Sequence, residues 1–277
     1  MNPIVVGVDD SPGSRRALAW ATEVARATDA EIVAVSAFTQ PWSEVSPDDQ
    51  HALIAEREQR LVEWTRPAVE SGASVRTQVI PGDPRDVLES VAADESAALI
   101  VVGRTGHGTA PGLLHIGSVG EHLAHHVPYP LAVVPTDAPL PVERIVVGVD
   151  RSAGSQRAVA WCAQLASAAG AHVVAARIDD EPTEHPVDVV ANAVTSDESD
   201  FDEECRLLFD AGVDVEQVVE LNPSAAHGLL ELAAARGADL LIVGARGRGG
   251  FSGLRVGGVA MKVLHHATGS IVLVPDR

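Results

Sequence analysis

The chain has 277 residues, of which 46% are hydrophobic and only 3% aromatic, and its formal net charge at pH 7 is −19. This length suits one large or two ordinary domains with a core of aliphatic side chains. The negative charge argues against nucleic acid or an anionic membrane surface as a partner. No apolar run reaches the roughly 18–20 residues that span a bilayer.

The amino terminus lacks the basic and apolar regions of a signal peptide. The two cysteines, Cys162 and Cys205, have neither the spacing of metal ligands nor that of a redox motif. We therefore expect a reduced, cytoplasmic protein.

Short apolar runs alternate with helix-forming segments in the first half. The run Pro3–Val8 is continuously apolar and rich in valine, which is typical of a strand buried on both faces. Ser11 and Pro12 then begin a helix, and 39–49 is predicted to be a loop. A longer helix at 50–71 is expected to bend or break near Pro67. We predict strands at 3–8, 31–38, 74–80, 98–102 and 130–134, and further helices after Pro81–Pro84 and at 119–126.

The second half repeats the first. Asp9 and Asp150, Trp20 and Trp161, and Gly103 and Gly244 are each separated by 141 residues. From Gly117 and Gly257 onward the separation is 140 residues. A register sustained over nearly the whole chain, with one deletion, indicates an internal duplication.

The alternation of strands and helices predicts an α/β fold of two tandem Rossmann-like domains. Each domain is expected to contain a five-stranded, mainly parallel sheet flanked by helices. We place the domains at 1–137 and 142–277, joined by the proline-rich segment 136–141. Because ligands of such sheets bind beyond the carboxyl ends of the strands, we expect Asp9 and the segment after the fourth strand to share one site.

A glycine-rich loop follows the fourth strand of each half, at Gly103–Ser118 and Gly244–Gly258. Glycines without a Cβ let the backbone approach a bulky anion closely. A helix that starts at the end of the loop directs N–H groups toward phosphate. Ser118 is expected either to cap that helix or to donate to a phosphate oxygen. The Asp9 side chain would accept from an amine, a ribose hydroxyl or a metal-bound water.

Each feature taken alone has a simpler interpretation. Gly103-x-x-Gly106 is an ordinary turn signal, Asp9 a common residue before a helix, and Ser118 a common cap. Their joint repetition favours a nucleotide site in each half. The P-loop pattern is absent, and the glycines follow the fourth strand and not the first, which excludes the usual dinucleotide motif.

These motifs resemble the universal stress protein family, whose pattern after an apolar fourth strand is Gly, two residues, Gly, nine residues and Gly-Ser/Thr. The segments Val5–Asp9 and Tyr129–Pro135 match the family's first and last strands, as do Val147–Asp150 and Ser270–Pro275. Two departures stand out. The first loop has ten residues between its second and third glycines, and the second loop has Gly258 where Ser or Thr is expected.

The resemblance implies an adenine nucleotide α-hydrolase-like variant of the fold, with ATP, and Mg²⁺ beside it, in each half. It implies that Asp9 and Asp150 contact the adenosine end of ATP. It also implies pairing of the two halves through their last strands, which would cover exposed strand edges, and further assembly into a homodimer. An unknown regulatory protein is a further candidate partner. The residues implied to hold ribose and phosphates are Gly103, Gly106, Gly117, Ser118 and Val119 in the first half, and Gly244, Gly247, Gly257, Gly258 and Val259 in the second. Four arginines are candidates for added phosphate charge: Arg104, Arg246, Arg248 and Arg255.

Other interpretations of the sequence are weaker. The acidic stretch 179–204 lacks the EF-hand spacing, so we expect a solvated acidic loop leading into a helix and not a calcium site. The pairs His125-His126 and His265-His266 suit helix carboxyl ends, and we predict no metal site there. No nucleophile elbow and no positioned general base occurs near the glycines. We therefore expect an ATP-binding regulator, and the alternatives are a slow ATP hydrolase or self-phosphorylating enzyme and an interaction module without nucleotide.

Overall fold

The computed structural model describes residues 2–39, 46–106, 116–179, 190–247 and 256–276, with the backbone alone for 190–199. The chain divides into two compact units. One comprises 1–141 with 268–272, and the other 142–267 with 273–277. Among the residues that the structure describes, no helix is long and apolar enough to cross a membrane.

The first half of the chain forms a parallel sheet in the strand order β3-β2-β1-β4-β5. Helix α1 contacts α2, and α3 contacts α4, while all four helices also contact strands of this sheet. The bounds are β1 Ile4–Gly7, α1 Pro12–Thr28, β2 Ile32–Phe38, α2 Pro47–Glu70, β3 Val75–Pro81, α3 Pro84–Asp94, β4 Leu99–Gly103, α4 Ser118–His126 and β5 Leu131–Val134.

The second half repeats this arrangement, with parallel strands in the order β8-β7-β6-β9. The N–H of Ala245, directly after β9, donates to the Val274 carbonyl of β10, as Arg104 after β4 does to Val134 of β5. The bounds are β6 Arg144–Gly148, α5 Ala153–Ala169, β7 His172–Asp179, α6 Val190–Asp210, β8 Val215–Leu221, α7 Ala225–Ala235, β9 Leu240–Gly244, α8 Gly258–His266 and β10 Ser270–Val274. The predicted α/β class with mainly parallel sheets is confirmed.

The inner strands explain why a chain with so few aromatic residues folds. Strands β1, β4 and β5 are apolar along almost their whole length and buried, as expected for parallel strands covered on both faces. Trp20 of α1 and Trp161 of α5 are 0% and 9% exposed. Both tryptophans therefore belong to the core, as the apolar helix faces predict.

Helix α2 differs from its sequence prediction at both ends. It begins at Pro47 and not at Gln50, because the Ser46 side chain accepts from the Asp49 N–H as an N-cap and proline suits the first helical position. The helix also continues through Pro67 to Glu70. Pro67 lies in the last turn, where its missing N–H removes only one helical hydrogen bond.

The acidic segment of the second half is only partly solvated, which corrects the predicted acidic loop. Glu204 of α6 pairs with Arg177 of β7 at 2.5 Å, and their side chains are 9% and 3% exposed. The Arg177 guanidinium also stacks 4.3 Å from the Phe201 ring centroid. This ion pair and its aromatic neighbour fasten α6 to the sheet.

The two cysteines are buried and reduced. Burial raises the pKa of the Cys162 thiol, and burial likewise raises that of Cys205, against a hydrogen bond from Gln217 that lowers it. Thiols that stay protonated are poor nucleophiles. Their burial accounts for both cysteines as core residues of α5 and α6.

Replacing Glu204 with alanine should destabilise the second half strongly, because it leaves the Arg177 charge buried without its carboxylate. We expect a loss of about 3 kcal/mol in the free energy of unfolding, measured by urea denaturation of the intact chain. The matched control is Glu203→Ala. Glu203 is 63% exposed in its pair with Arg206, so its loss should stay within about 0.5 kcal/mol. Equal effects of the two substitutions would contradict a structural role for the buried pair.

Candidate functional site

The turn between β1 and α1 holds Asp9 through two serines. Ser11 donates to Asp9 Oδ1 from its N–H at 3.1 Å and from its hydroxyl at 2.6 Å. The Ser11 hydroxyl also accepts from the Ser14 N–H at 3.1 Å and so caps α1. The carboxylate is therefore fixed in orientation by the same residue that starts the helix.

The same turn recurs between β6 and α5. Ser152 donates its N–H to Asp150 Oδ1 at 3.0 Å, and its hydroxyl accepts from the Ser155 N–H at 3.1 Å. The residue after each aspartate adopts a left-handed backbone, with φ 67° at Asp10 and 64° at Arg151. Because this conformation is uncommon for residues other than glycine, its repetition marks a turn that both halves retain.

A very close backbone approach joins each glycine loop to this turn. A Cβ at Gly103 would lie 2.6 Å from the Gly13 carbonyl carbon and 2.9 Å from the Ser14 nitrogen. The equivalent atom at Gly244 would lie 2.5 Å from the Gly154 carbonyl carbon. Only glycine allows the end of the fourth strand of each half to lie against the start of its first helix. This contact places the loop beside the aspartate.

The first loop runs directly past the carboxylate. A Cβ at Gly106 would lie 2.9 Å from Asp9 Oδ2, the oxygen that does not accept from Ser11. The Gly117 N–H donates to the Arg104 carbonyl at 2.7 Å. That bond holds the two ends of the loop together, so Asp9, Gly106 and Gly117 converge at one place.

The second loop has the same geometry. A Cβ at Gly247 would collide with Asp150 Oδ2. The Gly257 N–H donates to the Ala245 carbonyl at 2.7 Å. The structure thus brings together Asp150, Gly244, Gly247 and Gly257, as it does their counterparts in the first half.

Helices α4 and α8 begin at these loop ends, and here the predicted cap is corrected. The N-cap of α4 is Gly117 without a side-chain hydrogen bond, and Ser118 is the first helical residue, exposed to solvent. In the second half Gly257 is the N-cap, and a Cβ at Gly258 would meet nothing within 4 Å. Because glycine caps with its extended backbone alone, the Ser118 hydroxyl remains available for a ligand. Val119 and Val259, the next residues, are half-buried and 42% exposed respectively.

Two of the four predicted arginines lie in described parts of the loops. Arg104 is 7% exposed, and burial lowers the pKa of its guanidinium while the charge of Asp137 opposes that shift. Arg246 forms an ion pair with Asp276. Its carbonyl faces Gly154 and accepts from the Ser152 hydroxyl at 3.3 Å. Arg248 and Arg255 lie outside the described residues.

A groove of about 400 Å³ lies between β3 and α3, apart from the predicted site residues. A hydrogen bond from Arg85 lowers the pKa of Asp83 to about 2, so this carboxylate is charged at neutral pH. Further carboxylates line the groove, which makes it unsuited to phosphate: Asp86, Asp94 and Glu95.

The histidines at the end of α4 form a structural contact. The rings of His122 and His126 stack with centroids 4.0 Å apart, and His126 Nδ1 lies 2.7 Å from the His122 carbonyl oxygen. Within the described ranges, no group of three or more His, Cys, Asp or Glu side chains is placed to hold a metal ion.

Sequence reasoning missed the serines and glycines that build the turn. Ser11-x-Gly13-Ser14 recurs as Ser152-x-Gly154-Ser155 at the same separation of 141 residues. The duplication alone could have identified this motif. Its function was hidden because the partners of Gly13 and Gly154 follow a different strand.

The fold and the paired strand-end sites define a tandem α/β protein with one glycine-loop site in each half. The model of the universal stress protein family matches residues 1–135 and 141–275, and the chain belongs to this family.

Known relatives agree over the full length. A universal stress protein of Mycobacterium tuberculosis is 30% identical over 301 residues, covering 98% of this chain and 94% of the relative. One from Mycolicibacterium smegmatis is 29% identical over 298 residues, covering 99% and 97%. The crystal structure of a universal stress protein from Archaeoglobus fulgidus has a TM-score of 0.78 at 16% identity, covering 100% and 99%. The predicted tandem arrangement of two universal stress protein domains is therefore confirmed.

Gly244→Ala should lower the stability of the second half by about 2 kcal/mol or more, because the new Cβ meets the Gly154 backbone and neither chain segment can give way. Thermal unfolding of the intact chain would measure it. Gly258→Ala is the matched control. With open space around it at a helical position, it should be neutral or stabilise by about 0.5–1 kcal/mol. A harmless Gly244→Ala would show that the close approach is not needed.

Proposed function

We propose that the protein binds ATP in each half and acts as a regulator whose conformation or assembly depends on that nucleotide. One observation carries the proposal. The Asp9 carboxylate, oriented by Ser11, lies directly beside Gly106, where the two ends of the glycine loop are held together. The same arrangement recurs at Asp150 and Gly247.

The two ends of such a ligand have different requirements. In our proposal Asp9 and Asp150 accept hydrogen bonds from the adenosine part. Gly103, Gly106 and Gly117, with their counterparts Gly244, Gly247 and Gly257, admit the ribose and phosphates close to the backbone. Exposed first residues of α4 and α8 then present N–H groups to phosphate oxygens. These first two residues of each helix are Ser118 and Val119, and Gly258 and Val259.

Mg²⁺ fits the proposal only as a companion of the nucleotide. The described residues offer one carboxylate at each site and no group of three acidic or histidine side chains for a metal. Mg²⁺ is commonly bound by one or two carboxylates together with substrate phosphates. We therefore propose that Mg²⁺ is held mainly by the phosphates of ATP.

The setting and assembly of the protein belong to the same proposal. We propose a cytoplasmic protein with domains at 1–137 and 142–277, paired through the last strand of each domain, and a homodimer beyond that. The net charge of −19 disfavours nucleic acid as a partner.

A purified sample should bind about two ATP per chain, because the two sites have equivalent backbones, and isothermal titration calorimetry with MgATP would measure the stoichiometry. The double variant Gly106→Val, Gly247→Val places a branched side chain against each carboxylate. It should weaken binding by about tenfold or more at both sites. Circular dichroism must show that the variant keeps its helices and strands. The control is Gly258→Ala, which should bind like the unmodified chain.

The outcome also decides between classes of protein. No saturable binding and no nucleotide released on denaturation would leave a pure interaction module. Phosphate release well above that of the double variant would instead indicate a slow ATP hydrolase.

A further inference from the structure

The two sites share a backbone but differ in the charges placed around it. Asp10 and Arg151 occupy equivalent turns with nearly the same left-handed φ. At the next equivalent loop position, Thr105 in the first half corresponds to Arg246 in the second. One acidic and one neutral side chain are thus replaced by two basic ones.

The starts of α4 and α8 differ in the same direction. The first turn of α4 contains the exposed Glu121, whereas the first turn of α8 contains no acidic residue and has Met261 at this position. A carboxylate close to a helix N-terminus opposes the binding of a second anion there. Phosphate at α4 therefore meets a repulsion that is missing at α8.

The remaining charges of the first site do not restore the balance. Arg104, whose counterpart is Ala245, is 7% exposed. Arg15 pairs with Asp10 at 2.8 Å. In the second site Arg151 lies 3.8 Å from Asp200, and both side chains are largely exposed. Such a long, exposed ion pair is weak and readily exchanged for phosphate.

Arg246 is held differently. Asp276 pairs with its guanidinium, and the side chains are 22% and 24% exposed. Its backbone is fixed against Gly154, directly before Gly247. The ion pair keeps a cation at the loop, and a phosphate group can share it, since a guanidinium has five N–H donors.

We propose, building on the proposed nucleotide function, that the second site selects adenine nucleotides by the number of their phosphates, through Arg151 and Arg246. The first site, with Asp10 and Glu121 around it, discriminates little among ATP, ADP and AMP. The second site is thus the triphosphate sensor of the pair, although it lacks the hydroxyl that Ser118 supplies to the first.

The test isolates one site at a time. Gly106→Val leaves the second site and Gly247→Val leaves the first, and each variant is titrated calorimetrically with MgATP and with AMP. We expect the second site to prefer ATP over AMP by about tenfold or more, and the first site by less than about threefold. Equal preferences, or a stronger one at the first site, would overturn the inference while leaving nucleotide binding intact.

Charge exchange tests the named residues. In the Gly106→Val background, Arg151→Asp should lower the preference for ATP by about tenfold. Arg157→Asp, on an exposed position of the same helix α5, should leave it unchanged. The reciprocal change Asp10→Arg in the Gly247→Val background should raise the preference, and arginine already occupies this backbone conformation at position 151. If the unmodified chain binds neither nucleotide, the proposed function itself fails, which is a different result from equal preferences.

Discussion

The contact between Gly103 and Gly13 sets the geometry on which each site depends. A strand end and a helix start approach so closely that a single Cβ at either residue would collide with backbone. Such a contact cannot relax by a change of rotamer, because backbone atoms are involved on both sides. It forces the glycine loop to leave β4 beside the turn that carries Asp9, and the Gly244–Gly154 contact does the same in the second half. The convergence of carboxylate and loop is therefore a consequence of packing.

Duplication has preserved the backbone of the site and released the side chains around it. Both halves retain the aspartate, the capping serine and the left-handed residue that follows the aspartate. Yet that left-handed residue is acidic in one half and basic in the other, because backbone strain at this position restricts φ and places no demand on charge. Features that fix geometry were kept, and features that tune electrostatics diverged. Two sites with the same shape can in this way acquire different preferences for their ligands.

The sequence predicted the fold and both loops well, for an identifiable physical reason. Buried parallel strands give unbroken apolar runs such as Leu99–Val102, and the repeat allowed every inference to be made twice. The contacts of Gly13 and Gly154 could not be predicted, since their partners are about ninety residues away and follow another strand. Nor could the cap of α4 be assigned. Ser118 is a favourable capping residue, but the backbone of Gly117 already has the extended conformation that an N-cap requires.

A net charge of −19 raises the question of how such a chain would hold an anionic ligand at all. Exposed charges are screened beyond about 8 Å at physiological ionic strength, so most of the acidic surface acts weakly at any one site. What remains is local: backbone N–H groups at the starts of α4 and α8, and the few charges within one turn of them. Backbone groups contribute almost equally in the two halves, because the loop ends are closed by the same 2.7 Å hydrogen bond. The balance between Glu121 and Arg246 then decides how strongly each site responds to added phosphate.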